Sequence, residues 1–206
     1  MFNIILGGDM QFDQVIQTRR SIRNFKPDAV SDKAISEILE AARLAPSGSN
    51  IQPWRFIIIR SLEMKEKLKE TTIWRFPFRA PVIIACCFDR SALDSRPERS
   101  AELAQAGVFD NVEIEGEYVP VEIREEEVLA YLWMNVGIAI THMMLKAVDL
   151  DLGTCWVGGF DRMRAKEILG LDKNFHVLAL LPIGYPERVP APRPRFPLEQ
   201  LIIKTI

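Results

Sequence analysis

The 206-residue sequence is poor in the residues that build disulfide frameworks and metal centres. It contains three cysteines and two histidines. Cys86 and Cys87 are neighbours, which is a poor basis for disulfide pairing and favours a reducing, cytoplasmic setting. His142 and His176 lie far apart, and no CxxC or HExxH spacing accompanies them, so the sequence predicts no metal site. Both histidines are expected in the core or on the surface.

The chain also lacks an excess of charge of either sign. Its 26 basic and 28 acidic residues give a net charge of -2, which argues against a nucleic-acid-binding protein, whose domain is usually strongly basic. The first ten residues carry no basic region and no small-residue cleavage pattern, so a signal peptide is not expected. A chain of this length buries roughly 70% of its unfolded surface. We therefore expect one domain over residues 1–206.

One long segment lacks charge altogether. Residues 128–145 contain no Asp, Glu, Lys or Arg, which is just long enough to be considered for a membrane span. The segment contains Asn135 and Thr141, however, and it follows three glutamates, whereas membrane anchors usually have basic flanks. The sequence instead predicts a helix that is buried on nearly every side, either within one domain or between two subunits.

The remaining pattern alternates between helices and strands. Apolar periodicity and capping residues predict helices near residue 14, after Ser31, Ser61 and Asp161, and over about 126–148. Apolar runs predict strands at 56–59, 82–88, 154–157 and 176–181. Such strands indicate a sheet that helices cover on both faces. Residues 89–124 carry no clear pattern, and we expect a variable loop or lid there.

The C-terminal segment combines a proline-rich stretch with an apolar end. Residues 201–203 would be unattached if this segment trailed into solvent. We expect residues 187–206 to form an arm that crosses to a partner subunit and adds an edge strand. Arg193 and Arg195 lie two residues apart in this extended arm, so they point the same way. They would complete an anion site with Arg19.

A basic segment near the first helix is the first candidate binding site. Arg19, Arg20 and Arg23 surround Ser21 within five residues. Arginine offers a planar fork that matches phosphate oxygens, and a serine hydroxyl adds a further donor. A solvated basic helix end that complements the helix dipole would explain the same residues.

Two further segments could contact a ligand. Residues 46–54 read Pro-Ser-Gly-Ser-Asn-Ile-Gln-Pro-Trp and carry four side chains that can bond polar ligand edges. They are equally explained as a helix-to-strand connection rich in turn formers. Residues 153–161 match neither a Walker nor a GxGxxG pattern, but Gly158 and Gly159 would let a flat ligand approach the backbone closely.

Taken in order along the chain, these segments resemble the FMN-dependent nitroreductase family. The resemblance covers most of the chain and rests on five motifs in register. They are Arg19-Arg20-Ser21-Ile22-Arg23, the loop over 46–54, Asn135-Val136-Gly137-Ile138-Ala139, Gly153-Thr154-Cys155-Trp156, and Gly184-Tyr185-Pro186 before Arg193 and Arg195.

The resemblance implies an α+β fold, with a central mixed β-sheet flanked by helices. It also implies an intertwined homodimer with C-terminal arm exchange and two FMN sites at the subunit interface. The uncharged helix would then be the interface helix, and the apolar tail would embrace the partner. Neither nucleic acid nor membrane is implied as a partner.

The resemblance also assigns the residues that bind FMN. Arg19 and Ser21 would hold the phosphate and ribityl chain, Arg20 the flavin or ribityl edge, and Arg23 the region of N1 and the C2 carbonyl. The loop from the other subunit would contact the dimethylbenzene end and the ribityl hydroxyls. The full set is Arg19, Arg20, Ser21, Arg23, Pro46, Ser47, Gly48, Ser49, Asn50, Gln52, Arg75, Trp156, Val157, Gly158, Gly159, Arg193 and Arg195.

The implied activity is that of an oxidoreductase. NAD(P)H would give hydride to flavin N5, and a small acceptor such as a nitroaromatic, a quinone or a flavin would take it in a ping-pong cycle. No protein nucleophile or general base is required, so no catalytic residue is assigned. A flavin carrier or sensor, or the branch of the family that breaks FMN down oxidatively, is the alternative. Gly158 departs from the glutamate of the bacterial nitroreductase branch, which leaves the acceptor open.

Overall fold

The predicted order of helices and strands is present in the computed structural model, which describes residues 11–108, 110 and 124–206. The described helices are α1 (Phe12–Thr18), α2 (Asp32–Arg43), α3 (Leu62–Leu68), α4 (Arg96–Gln105), α5 (Glu125–Asp149) and α6 (Arg162–Ile168). The strands are β1 (Trp54–Ile59), β2 (Val82–Asp89), β3 (Gly153–Thr154) and β4 (Phe175–Gly184). Short 3-10 turns occupy Gly48–Asn50, Lys69–Thr71, Phe76–Arg79, Arg90–Leu93 and Leu198–Gln200.

The four strands form one sheet in the order β1-β2-β4-β3. All three strand pairs are antiparallel, with Ile57 opposite Ala85 in the first pair and Ala85 opposite Leu180 in the second. Among the described residues, the parallel pairing is limited to an isolated bridge between Ser21 and Thr154. The expected α+β fold is confirmed, but the expected mixed sheet is corrected to an antiparallel one within a single chain.

Alternation along β2 places apolar side chains on both faces of the sheet. Ile84 and Cys86 pack with the buried residues of α2 and α5, whereas Ile83 and Ala85 pack with those of α3 and α6. The expectation of a sheet covered on both faces is therefore confirmed. The two helical layers leave the ends of the strands free to position polar segments.

Capping side chains begin three helices at the expected positions. The hydroxyl of Ser31 accepts a hydrogen bond from the Ala34 N–H at 3.1 Å, and that of Ser61 accepts one from the Met64 N–H at 3.3 Å. The carboxylate of Asp161 accepts one from Arg164 N–H at 2.9 Å. Each bond satisfies a donor that the first turn of a helix leaves free.

The long helix α5 is buried along one stripe rather than on every side. Leu132, Val136 and Ala139 are fully buried, but Trp133 and Met134 are 40% and 54% exposed. In the part of the chain that the structure describes, α5 is the one helix long and apolar enough to cross a membrane, and its most apolar 18-residue window is 39% buried. The expectation of nearly complete burial is wrong for one subunit, because helices cover only one side of α5.

Two other expectations need correction. The strand expected over 154–157 is limited to β3, after which the chain leaves the sheet and touches it again only where Val157 bridges Leu180. The loop expected over 89–124 contains α4, which packs against the Gly48–Asn50 turn. Residues 109 and 111–123 of that segment lie outside the described residues.

The C-terminal arm is extended and exposed. Residues 187–206 are exposed throughout, and their regular structure is limited to the turn Leu198–Gln200. Phe196 and Ile203 are 75% and 102% exposed. The edge strand expected from this arm is not formed within one chain, since such a strand needs a sheet edge on another subunit.

Candidate functional site

A close backbone contact joins two of the predicted binding segments. The Ile22 N–H donates to the Thr154 carbonyl oxygen at 2.8 Å, beside the parallel bridge from Ser21. Gly153 makes this approach possible, because a Cβ atom there would lie 2.5 Å from Ile22 Cγ1. The basic segment that begins at Arg19 therefore runs alongside the segment that begins at Gly153.

Four arginines converge at this contact. Burial lowers the pKa of the Arg19 guanidinium, and the positive charges of Arg195 and Arg20 lower this pKa further. Burial raises the pKa of the Cys155 thiol, while Arg23, the Ser21 hydroxyl, Arg19 and Arg193 oppose that rise. The sequence segments around 19 and 193, which are far apart along the chain, thus meet at Cys155. The residues concerned are Arg19, Arg23, Arg193 and Arg195, and we call them the arginine cluster.

The arginine cluster has positive charge without an internal counter-ion. Within the described ranges, none of its four members forms an ion pair with a carboxylate. By contrast, Arg43, Arg60 and Arg164 each hold a carboxylate oxygen at 2.7 to 3.2 Å. Like charges that lie near one another favour an anion as a partner.

Two buried polar atoms beside the cluster also lack partners. Thr154 Oγ1 and Arg20 Nε have no hydrogen-bond partner in the described chain. The Nη1 atom of Arg20 donates instead to the carbonyl oxygens of Gln17 and Arg19, at 2.7 and 2.9 Å, at the end of α1. A buried polar group without a partner costs about 1 to 3 kcal/mol. A ligand that brings negative charge and further hydrogen-bonding groups fits this place.

The glycine pair after Cys155 forms a second surface of the candidate site. The Thr72 hydroxyl donates to the Gly159 carbonyl oxygen at 2.8 Å, and the Asp161 N–H donates to the Thr71 carbonyl oxygen at 2.7 Å. A Cβ atom on Gly159 would lie 3.6 Å from Trp74 Nε1. The backbone of the glycine pair is therefore fixed on one side by residues 71–75, the segment that carries Trp74.

Arg75, another predicted site residue, stabilises the same segment. Arg75 Nη1 donates to the carbonyl oxygens of Lys69 and Thr72, at 2.7 and 3.0 Å. The structure therefore places Arg75 beside the glycine pair but not in the arginine cluster. Arg23 lies between the two groups, with its guanidinium carbon 5.7 Å from the centre of the Phe76 ring.

The loop over 46–54 is held by α5 and not by the arginine cluster. The buried Asn135 accepts a hydrogen bond from the Gly48 N–H at 2.8 Å and donates one to the Tyr131 carbonyl oxygen at 2.7 Å. A Cβ atom on Gly48 would overlap the Tyr131 hydroxyl at 2.1 Å. The position of this loop is therefore set by Asn135 and Tyr131 of α5.

The loop also carries unusual backbone conformations. Ser49, Asn50 and Gln52 have φ values of 50°, 51° and 45°, which residues other than glycine rarely adopt. The Gln52 N–H donates to the Ser47 hydroxyl at 3.0 Å and helps to hold this shape. Strained backbone that surrounding contacts maintain is frequently found at ligand sites.

Sequence reasoning missed several residues of this region as site residues. Thr154 and Cys155 lie in the motif that carries the resemblance, yet that motif gave no sign that the arginines meet there. Trp74 was not identified at all, and neither was Arg162, which donates a hydrogen bond to the Gly158 carbonyl oxygen at 2.9 Å. Arg162 follows a helix cap, and this position indicates only the start of a helix.

Comparisons with known proteins show the family of this chain and the fold. The sequence pattern of the nitroreductase family matches residues 16–185. The NADH dehydrogenase of Thermus thermophilus is 30% identical over 190 residues, which cover 90% of this chain and 91% of that protein. The 4-nitrobenzoate reductase of Pseudomonas putida is 28% identical over 193 residues, which cover 84% and 85%.

A solved structure shows the same fold with a ligand. The crystal structure of a protein from Exiguobacterium sibiricum, in complex with FMN, superposes with a TM-score of 0.79 and is 25% identical. The match covers 97% of this chain and 99% of that chain.

Proposed function

The chain belongs to the nitroreductase family, and from that premise we propose that it is an NAD(P)H-dependent flavin oxidoreductase that binds FMN and reduces a small acceptor. The observation that carries this proposal is the arginine cluster, whose four cations have no carboxylate partner among the described residues and lie beside two buried polar atoms that also lack partners there. An FMN phosphate supplies the missing negative charge, and the ribityl hydroxyls supply hydrogen-bonding groups. The residues present therefore fit this cofactor.

We assign the arginine cluster to the polar end of FMN. Arg19, Arg193 and Arg195 hold the phosphate, since Arg195 lies near Arg19, and Arg19 and Arg193 both lie near Cys155. Ser21 adds its hydroxyl near the phosphate and ribityl chain. Arg20 contributes to the flavin or ribityl edge.

The ring system is assigned to the surface around the glycine pair. Trp156, Val157, Gly158 and Gly159 line the ring and present backbone groups to it. Arg23 keeps a positive charge near N1 and the C2 carbonyl, where negative charge accumulates during reduction, and so stabilises that charge. Arg75 stabilises this surface by its hydrogen bonds to the segment over 71–75, which contacts the glycine pair. When bound, FMN carries hydride between NAD(P)H and the acceptor at its N5 atom.

We further propose a single domain over 1–206 that works as a homodimer. The loop residues Pro46, Ser47, Gly48, Ser49, Asn50 and Gln52 complete the FMN site of the partner subunit. The exposed side of α5 around Met134 forms the interface, and the arm over 187–206 embraces the partner. Helix α4, which packs on the loop, covers the substrate side. A cytoplasmic setting, consistent with three free buried cysteines, belongs to the same proposal.

The direct test is to purify the protein, measure bound flavin and add NADH or NADPH without oxygen. We expect a yellow protein whose flavin either nucleotide bleaches, and which then reduces 4-nitrobenzoate or a quinone with ping-pong kinetics. Bound flavin that neither nucleotide reduces would favour a carrier or sensor instead. Oxygen-dependent destruction of the flavin would favour oxidative FMN breakdown, and a protein without affinity for FMN would overturn the proposal.

A further inference from the structure

Arg162, at the start of α6, is a half-buried cation that the proposed flavin contacts do not use. In the described part of the chain it has no carboxylate partner, although Arg164, two residues later, is paired with both Glu70 and Glu167. The Nε atom of Arg162 is buried and has no hydrogen-bond partner among the described residues. A cation in this state favours a negatively charged partner from outside the chain.

Aromatic side chains hold the guanidinium of Arg162 in one place. Its central carbon lies 5.2 Å from the centre of the Trp133 ring and 5.4 Å from that of the Phe160 ring. One of its terminal nitrogens donates to the Gly158 carbonyl oxygen at 2.9 Å. The positive charge is therefore fixed beside the glycine pair, on the surface assigned above to the flavin ring.

Gly158 leaves open the space in front of this charge. A Cβ atom there would lie 3.4 Å from Trp156 Nε1 and 3.8 Å from the Nη2 atom of Arg162. Any side chain at residue 158 would thus begin between an indole and the guanidinium, and glycine supplies none. The indoles of Trp133 and Trp156 are 40% and 38% exposed, so flat apolar surface flanks the same space.

We propose that Arg162, together with Trp133 and Trp156, makes the enzyme selective for flat aromatic acceptors that carry a carboxylate. This inference rests on the proposed function, because it concerns the acceptor of that same site. The indoles contact the aromatic ring of the acceptor, and Arg162 pairs with its carboxylate through charge-assisted hydrogen bonds. An acceptor of the same shape without the charge leaves a partly buried cation unpaired, which is how such sites discriminate.

The experiment compares a charged and a neutral ligand of matched shape on the FMN-loaded protein. Tryptophan fluorescence gives the dissociation constants of benzoate and benzamide, and steady-state assays give kcat/KM for 4-nitrobenzoate and 4-nitrobenzamide. We expect a preference of about tenfold for the charged member in both measurements. In Arg162→Gln this preference falls to about one, whereas Arg164→Gln on the same helix keeps it.

Two further variants keep the test decisive if Arg162→Gln does not fold. Arg162→Lys retains a positive charge and should keep part of the preference. Gly158→Glu places a carboxylate beside Arg162 and should remove the preference for the charged acceptor. The contacts at residue 158 leave room for a Cβ atom. A preference that survives in Gly158→Glu, or a wild-type protein without any preference, would overturn the inference.

The same measurements separate this inference from the proposed function. Reduction of the bound flavin by NADH or NADPH, followed by turnover of 4-nitrobenzamide, tests the oxidoreductase itself. If both occur without a preference for the charged acceptor, the inference about Arg162 fails and the proposed function stands. If the flavin is never reduced, the proposed function fails, while the binding ratio of benzoate to benzamide still reports on Arg162.

Discussion

At the scale of single residues, the candidate site depends on cations held close to one another. Arg19 lies near Arg195 and Arg20, and each of these charges disfavours its protonated form. The short backbone contact between Ile22 and Thr154 fixes the segment that carries Arg19 and Arg20 beside β3. The ligand-free protein therefore carries a local repulsion that binding of an anion would relieve.

Replacement of Arg19 by alanine should affect the bound and the free protein differently. We expect Arg19→Ala to raise the dissociation constant of FMN about 10- to 100-fold, because a charge-assisted bond contributes roughly 1.5 to 3 kcal/mol. The melting temperature of the FMN-free protein should not fall, since a repelling charge has been removed. Fluorescence titration and melting curves with and without FMN measure both effects.

Arg43 offers the matched control, because it is exposed and paired with Glu40 at 2.7 Å. Arg43→Ala should leave the affinity for FMN unchanged. Equal affinities of Arg19→Ala and the wild-type protein would contradict the assignment of the phosphate to the arginine cluster.

A second single-residue effect concerns stability. Lys65 is 4% exposed, and its ammonium group donates to the carbonyl oxygens of Ala80 and Pro81, both at 2.8 Å. Lys65→Met removes both bonds and should lower the free energy of unfolding by about 1 to 3 kcal/mol. Denaturant unfolding of this variant beside Lys67→Met, whose lysine is exposed and paired with Glu63, measures the difference.

The effect of Lys65 should also depend on pH. Burial, followed by the charge of Arg60, lowers the pKa of Lys65 from its ordinary value of 10.5. Between the lowered pKa and 10.5 the unfolded chain binds more protons than the folded one, so the free energy of unfolding rises with pH in that window. The stability difference between wild type and Lys65→Met should therefore widen as the pH approaches 10.5. A constant difference would indicate an unshifted lysine.

At the scale of elements, the site depends on the connection between α5 and the loop over 46–54. Asn135 is fully buried and bonds both the loop, at Gly48, and its own helix, at Tyr131. It thereby transmits the position of α5 to a loop whose residues adopt strained φ values. In the proposed dimer, that loop forms part of the partner's flavin site.

Asn135→Ala should therefore weaken both folding and flavin binding. We expect the free energy of unfolding to fall by about 2 kcal/mol, because the Gly48 N–H loses its buried partner. The dissociation constant of FMN should rise as the loop loosens. Thr141→Ala is the control, since that hydroxyl is exposed and bonds only to the Gly137 carbonyl oxygen of its own helix.

Hydrogen exchange at the Gly48 amide tests the hydrogen bond to Asn135 directly. The Gly48 amide should exchange faster in Asn135→Ala than in wild type, with little change in the amides of β2. Unchanged protection at Gly48 would show that the loop does not need Asn135.

The elements that were predicted well are those fixed by local pattern. Ser31, Ser61 and Asp161 begin helices because each side chain bonds an N–H within its own first turn. The apolar run of β2 has no polar residue before Asp89 and is rich in β-branched residues at its start, which predicts a buried strand. These features need no knowledge of the rest of the chain.

The elements that were predicted poorly depend on distant contacts. The strand expected over 154–157 ends at Thr154, because the chain then leaves the edge of β4. It pairs with β4 again only at the bridge between Val157 and Leu180. Helix α4 has a polar sequence, and its contact with the Gly48–Asn50 turn is not visible in a local pattern. Arg162 was missed for the same reason, since its partners Trp133 and Phe160 were not predicted to meet it.

At the scale of the whole molecule, exposed apolar residues lie both on α5 and on the C-terminal arm. Met134 faces outward from α5, while Phe196 and Ile203 lie on the exposed arm. Separately scattered apolar residues are normal on a surface, but a contiguous apolar face usually marks an interface.

The homodimer can be tested by charging the exposed side of α5. Met134→Lys should convert a species of twice the 23.5 kDa chain mass into one of the single mass, as measured by light scattering, because a lysine cannot be buried there without a partner. The variant should lose FMN at the same time, since the proposed site combines the arginine cluster of one subunit with the loop of the other. Leu62→Lys provides the control, because Leu62 is 76% exposed on α3, which packs on the opposite face of the sheet from α5. A wild-type protein that binds FMN tightly as a monomer would contradict the shared site, and a dimer that survives in Met134→Lys would move the interface away from α5.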